Sequence, residues 1–101
     1  MHQWEYQFEW DTRKALSNHR KHGITFDRAA SVFNDPGILS FFDEDHSFLE
    51  ERWITLAMDE TGIPLVVCHT FQFENERKKA RVRIISARKA TKRELQDYKE
   101  V

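Results

Sequence analysis

The chain has 101 residues, a third of them charged, and a formal net charge of −1, so it is expected to be a single domain with one modest core and a densely ionic surface. Near-neutral charge argues against a generic nucleic-acid binder, and the one cysteine, Cys68, excludes an internal disulfide and a thiolate metal site. No apolar run approaches the ~20 residues of a membrane span and no basic-then-apolar leader follows Met1, so the expectation is a soluble, cytoplasmic protein without membrane contact.

In chain order, Trp4-Glu-Tyr-Gln-Phe-Glu-Trp10 alternates aromatic and polar residues, the period of a strand with one buried face. Asp11 is placed to cap a helix in which Ala15, Leu16, His19 and His22 recur at helical spacing until Gly23 ends it. Thr25 caps a second helix with an apolar stripe of Phe26, Ala29, Ala30 and Phe33, stopped at Asn34-Asp-Pro-Gly. Four β-rich runs follow, at 38–42, 52–58, 63–71 and 81–87, joined by polar turns. Thr91-Lys-Arg-Glu94 then opens a last helix as a capping box, with Leu95 and Tyr98 on its inner face. The order β-α-α-β-β-β-β-α describes an α+β domain: an antiparallel sheet with helices packed on one side and the other face open. An open face carrying Arg and His suits single-stranded nucleic acid, whose backbone follows cations while bases stack on aromatics.

Charge is unevenly distributed. Arg77, Lys78, Lys79, Arg81, Arg83, Arg88, Lys89, Lys92 and Arg93 form a tract with no acid, whereas from Asp35 to Glu60 the acids Asp35, Asp43, Glu44, Asp45, Glu50, Glu51, Asp59 and Glu60 stand against Arg52. Such a cationic tract attracts polyanions even when the total is neutral; a solvated charged face is the competing explanation. His22 follows Lys21 at a helix end, where exposed carbonyls favour positive charge, and it can serve as acid or base or simply cap those carbonyls. Metal-free RNA cleavage needs one group to take the 2′-hydroxyl proton, another to protonate the departing 5′-oxygen, and cations for the phosphorane. Arginine matches phosphate best, so Arg52, Arg83 and Arg88 are clamp candidates, each with a structural ion pair as its alternative. Strand alternation groups Arg81 and Arg83 with Ile85 and Ala87, and puts Arg88 in phase with Val82 and Ile84. Of the adjacent Glu50 and Glu51, which point to opposite faces in a strand, one can join the site as a base. His69 reads as a satisfied core or sheet-face histidine, and His19 with His22 lacks a third metal ligand.

The order and spacing of Phe8-Glu-Trp-Asp11, Asn18-His-Arg-Lys-His-Gly-Ile-Thr-Phe26, Ala29-Ala-Ser-Val-Phe33, Asp45-His46-Ser47, Glu51-Arg52, His69-Thr70 and Arg83-Ile-Ile-Ser-Ala-Arg-Lys-Ala90 resemble the BrnT family of bacterial toxins. That resemblance implies a RelE-like fold, an endoribonuclease that cuts RNA without metal or cofactor and blocks translation, and a BrnA-like ribbon-helix-helix antitoxin as partner. It also implies DNA contact only through the antitoxin complex, and a toxin dimer or 2:2 assembly. Carried over by position, the catalytic set is Lys21, His22, Glu51, Arg52, Arg83 and Arg88; Arg81, Lys89, Lys92 and Arg93 of the cationic tract are the expected RNA contacts. The turn at 72–80 is longer than the family pattern and the start is slightly extended. A non-catalytic antitoxin- or RNA-binding module of the same fold is the alternative; a sequence-specific DNA reader is disfavoured because no helix-turn-helix is evident.

Overall fold

The structure, a computed structural model, describes residues 4–74 and 76–100; the chain start at residues 1–3, Asn75 of the long turn and Val101 lie outside the described residues. Strand β1 (Glu5–Trp10) buries Tyr6, Phe8 and Trp10 on alternate positions. Helix α1 (Thr12–His22) starts where the Asp11 carboxylate accepts the Lys14 amide at 3.1 Å. It ends at Gly23, whose φ of 71° is a left-handed conformation that glycine adopts without steric cost. Helix α2 (Phe26–Ser31) is capped by Thr25 and runs into a 3₁₀ turn at Val32–Asn34. Strands β2 (Leu39–Phe42), β3 (Trp53–Met58), β4 (Pro64–His69), β5 (Gln72–Glu74) and β6 (Lys79–Lys89) follow, then helix α3 (Lys92–Lys99) with the expected capping box at Thr91 and Glu94.

The sheet runs β1-β6-β4-β3-β2, with β5 pairing beside β4's continuation along β6. Three expectations need correction. The long turn folds partly into a strand, so the order holds one β element more than β-α-α-β-β-β-β-α, because residues 72–74 can extend the edge that 79–81 offer. The sheet is mixed: β2 to β4 and β6 form an antiparallel meander, but β1 pairs β6 in parallel, because two helices separate it from the meander and return the chain to the same end. The helices also do not share one side. Ile24, Phe26, Ala29, Val32 and Phe33 pack on Ala57, Leu65, Val67, Val82, Ile84 and Ala87, with Ala15 against the same cluster, so α1 and α2 cover one face. Leu56 and Val66, opposite one another in register with Arg88, are buried on the reverse face, where Arg88 reaches Glu94 of α3.

Two polar residues, buried Asn18 and half-buried Asp35, fix this packing. Asn18 donates to the carbonyls of Ile24 (3.1 Å) and Ala87 (2.8 Å) and accepts the Ala87 amide (3.1 Å), tying the end of α1 to β6. Asp35 accepts the Met58 amide and the Tyr98 hydroxyl, both at 2.7 Å, joining α3 to the edge of β3. Tyr98 approaches so closely that a Cβ at Gly37 would sit 2.7 Å from its hydroxyl oxygen, which accounts for the glycine after Pro36.

A register shift decides which arginines share a face. Cys68 pairs with Ser86 but His69 pairs with Ile84, so Ile85 is an extra residue in β6. Alternation therefore restarts: Ala80, Val82, Ile84 and Ala87 are buried, while Arg81, Arg83 and Arg88 all lie on the reverse face. Unbroken alternation along β6 would put Arg83 and Arg88 on opposite faces, and the extra residue corrects that expectation.

Candidate active site

The β2–β3 hairpin closes on the pair Phe42 and Trp53, and the loop 43–52 beyond it is knotted by hydrogen bonds rather than by packing. The Asp43 amide donates to the Arg52 carbonyl at 2.8 Å. Ser47 Oγ donates to the Asp43 carbonyl at 2.5 Å and accepts the Arg52 amide at 3.0 Å, so one hydroxyl pins both ends of the loop. A 3₁₀ turn at Glu44–His46 completes it.

This loop presents Glu50 and Arg52 to Arg83 of β6. Glu50 Oε1 forms an ion pair with Arg83 Nη2 and lies 3.6 Å from Arg52 Nη2, so one carboxylate bridges two guanidinium groups. Arg83 is held by its backbone, which accepts the Thr70 amide at 3.0 Å and donates to Thr70 Oγ1 at 3.4 Å. The three side chains keep 38% (Glu50), 34% (Arg52) and 38% (Arg83) of their surface exposed, enough for an anion to displace the carboxylate. Arg52 Nε is buried without a hydrogen-bond acceptor among the described residues, a spare donor beside the bridge.

Two open clefts meet at Glu50. One, of about 430 Å³, is lined by His46, Phe48, Leu49, Glu50 and Arg52; the other, of about 300 Å³, by Glu9, Glu50, Glu51, Thr70, Phe71, Gln72 and Arg83. In the first, His46 Nδ1 lies 2.9 Å from Asp43 Oδ2. An anion in either cleft meets a guanidinium, and a carboxylate and an imidazole stand within the same walls, which suits binding a phosphodiester and moving protons around it.

The structure brings together Arg52 and Arg83 of the expected set. Glu51 lines the second cleft, but the carboxylate bridging the arginines is Glu50. Arg88 shares the face but is engaged: Nη1 and Nη2 donate to the two Glu94 oxygens at 2.8 and 2.9 Å. That fork pulls the Glu94 carboxyl down to about 2 against its partial burial, and raises the Arg88 guanidinium. Lys21 and His22 close α1 on the core side, and among the described residues no hydrogen bond or ion pair joins either to Glu50, Arg52 or Arg83. Arg81 is exposed on the cationic face, 3.4 Å from Gln72 Oε1, while Lys89, Lys92 and Arg93 are exposed at the end of β6 and the first turn of α3. Sequence reasoning assigned no role to His46, Asp43, Thr70 or Glu9. The i,i+3 spacing of Asp43 and His46 is the signal from which the first two could be found.

His69, as expected, belongs to the interior: fully buried, with Nε2 2.5 Å from Thr55 Oγ1, and burial lowers it to about 4. Cys68 is half-buried on the reverse face. Among the described residues no helix is long and apolar enough to cross a membrane.

Residues 10–94 match the family model described as the ribonuclease toxin BrnT of type II toxin–antitoxin systems. No curated protein sequence matches the chain. Among solved structures, the ribonuclease toxin BrnT of Brucella abortus superposes with a TM-score of 0.57 at 19% identity, over 82% of this chain and 94% of that one, a likeness of fold. The matched segment carries the whole Glu50, Arg52 and Arg83 cluster, and the chain belongs to the BrnT family of type II ribonuclease toxins.

Proposed function

We propose that this toxin cleaves RNA without a metal ion, with Arg52 and Arg83 clamping the scissile phosphate and Glu50 as general base. The observation that carries the reading is the Glu50 carboxylate set between two guanidinium groups where two open clefts meet. Phosphate entering the clefts replaces Glu50 on the arginines, and the released carboxylate takes the proton of the attacking 2′-hydroxyl. The 2′-oxygen bonds to phosphorus, the bond to the 5′-oxygen breaks, and the two guanidinium groups stabilise the charge that accumulates on the phosphorane oxygens. Products are a 2′,3′-cyclic phosphate and a 5′-hydroxyl end. Arg81, Lys89, Lys92 and Arg93 extend the cationic surface for flanking phosphates.

The RelE-like assignment, inhibition of translation through RNA cleavage in the cytoplasm, and a BrnA-like ribbon-helix-helix antitoxin complete this reading; the basis for each is the family resemblance. The complex, as a toxin dimer or 2:2 assembly, contacts DNA through the antitoxin. The test is cleavage of a defined RNA by purified protein in EDTA, beside an Arg83→Ala protein shown folded by circular dichroism. Cutting that the variant loses supports the reading. Cutting that Arg83→Ala retains, or that only added metal restores, overturns it.

A further inference from the structure

We infer that His46, held by Asp43 in the cleft that Glu50 and Arg52 line, is the proton donor to the leaving 5′-oxygen. The inference rests on the ribonuclease reading and supplies the group that reading lacks. Cleavage by a 2′-oxygen needs a base and an acid on different sides of phosphorus, and the arginines, charged throughout the working pH range, clamp but do not give up a proton. Glu50 occupies the base position. Among the described histidines, His69 is sealed in the core, His19 and His22 ride on α1 over the opposite face, and His46 lines the cleft beside Glu50 and Arg52.

The local geometry suits the role. A carboxylate only accepts hydrogen bonds, so the 2.9 Å contact with Asp43 puts a hydrogen on His46 Nδ1 and turns Nε2 away from it. The Asp43 side chain is 12% exposed and its own amide is bonded to the Arg52 carbonyl, while the His46 side chain is 68% exposed. The orienting carboxylate is thus fixed to the residue that clamps phosphate, and the imidazole it orients is open to substrate. An imidazole oriented by a hydrogen-bonded carboxylate, with its other nitrogen open to substrate, is placed to transfer a proton. In the step itself, the P–O5′ bond breaks as His46 Nε2–H passes its proton to the 5′-oxygen, and Glu50 carries away the 2′-hydroxyl proton.

The test uses one RNA with a mapped cleavage site, made with oxygen or with sulfur as the bridging 5′ atom, since a thiolate leaves without a proton. His46→Ala should cut the oxygen RNA about 10²–10⁴-fold more slowly than wild type and the sulfur RNA within about tenfold of it. Glu50→Gln should lose rate on both, and Asp43→Asn should show a smaller loss with the same rescue. Equal loss by His46→Ala on both RNAs, wild-type cutting of the oxygen RNA, or a sulfur-rescued loss in His22→Ala instead, overturns the assignment. A wild-type protein that cuts neither RNA overturns the ribonuclease reading itself.

Discussion

Under the proposed mechanism, replacing Glu50 by glutamine separates binding from chemistry, because the same carboxylate blocks the clamp and serves as base. Its two ion pairs involve groups 34–38% exposed, for which about 0.2–1 kcal/mol each is appropriate after solvent screening. Glutamine keeps the shape and removes the charge, so RNA no longer competes with a resident anion. The gain of up to about 2 kcal/mol corresponds to RNA binding tighter by at most about 30-fold. Loss of the base should meanwhile slow the bound reaction by about 10²–10⁴-fold. Single-turnover cleavage in EDTA gives the rate and a labelled-RNA titration gives the affinity, both at one salt concentration because phosphate contacts are strongly salt-dependent. A variant that binds more weakly and slows to the same degree would show that Glu50 merely holds the loop in place, and the mechanism would fall with it.

Arg88→Ala should lower stability by about 1–2 kcal/mol through loss of the fork to Glu94 while leaving most of the cleavage rate, whereas Arg83→Ala should abolish cleavage with little change in Tm; thermal melts beside activity assays separate the two. Asn18→Ala leaves the buried Ala87 amide and two carbonyls without partners, and chemical denaturation should show a loss of about 2–4 kcal/mol. Burial holds His69 at about 4 rather than 6.5, so the unfolded chain binds the extra proton between those values. Stability is therefore full above pH 6.5 and falls as pH drops toward 4, by roughly 3 kcal/mol, and His69→Gln should flatten that part of the curve. An unchanged slope in that variant would assign the acid sensitivity elsewhere.

Local signals in the sequence located the helices well, since Asp11, Thr25 and Thr91 cap as their side chains dictate and Gly23 takes the left-handed turn. What sequence could not show is non-local. The parallel pairing of β1 with β6 joins residues more than seventy positions apart, and nothing within β1 distinguishes a parallel neighbour from an antiparallel one. The extra residue at Ile85 is set by pairing with Cys68 and His69 on another strand, so a phase count along 81–88 alone was bound to misplace Arg88. That single residue puts Arg88 on the reverse face, where Glu94 of α3 meets it. The arginines of the site were legible as residue types. The choice of Glu50 over Glu51 was not, because both precede β3 in a loop whose path Ser47 fixes, where strand alternation has no force.

In the acidic middle of the chain, which looks in sequence like a face that would repel RNA, half of the eight acids are held by internal partners. Asp35 holds Met58, Gly37 and Tyr98; Asp43 holds His46; and Glu50 holds Arg52 and Arg83. Asp59 is raised by burial yet kept at about 2 by Thr61, the Ile63 amide and Arg28. The cationic tract is treated differently: Arg88 is paired, but Arg81, Lys89, Lys92 and Arg93 stay exposed. Glu44, Asp45, Glu51 and Glu60 also stay exposed, so the positive field comes from the clustering of these cations rather than from burial of the acids. Under the ribonuclease reading, the Glu50 bridge also explains why a catalytic carboxylate belongs beside its own phosphate clamp. It keeps two arginines aligned while the cleft is empty, and it stands next to the 2′-hydroxyl once phosphate has displaced it.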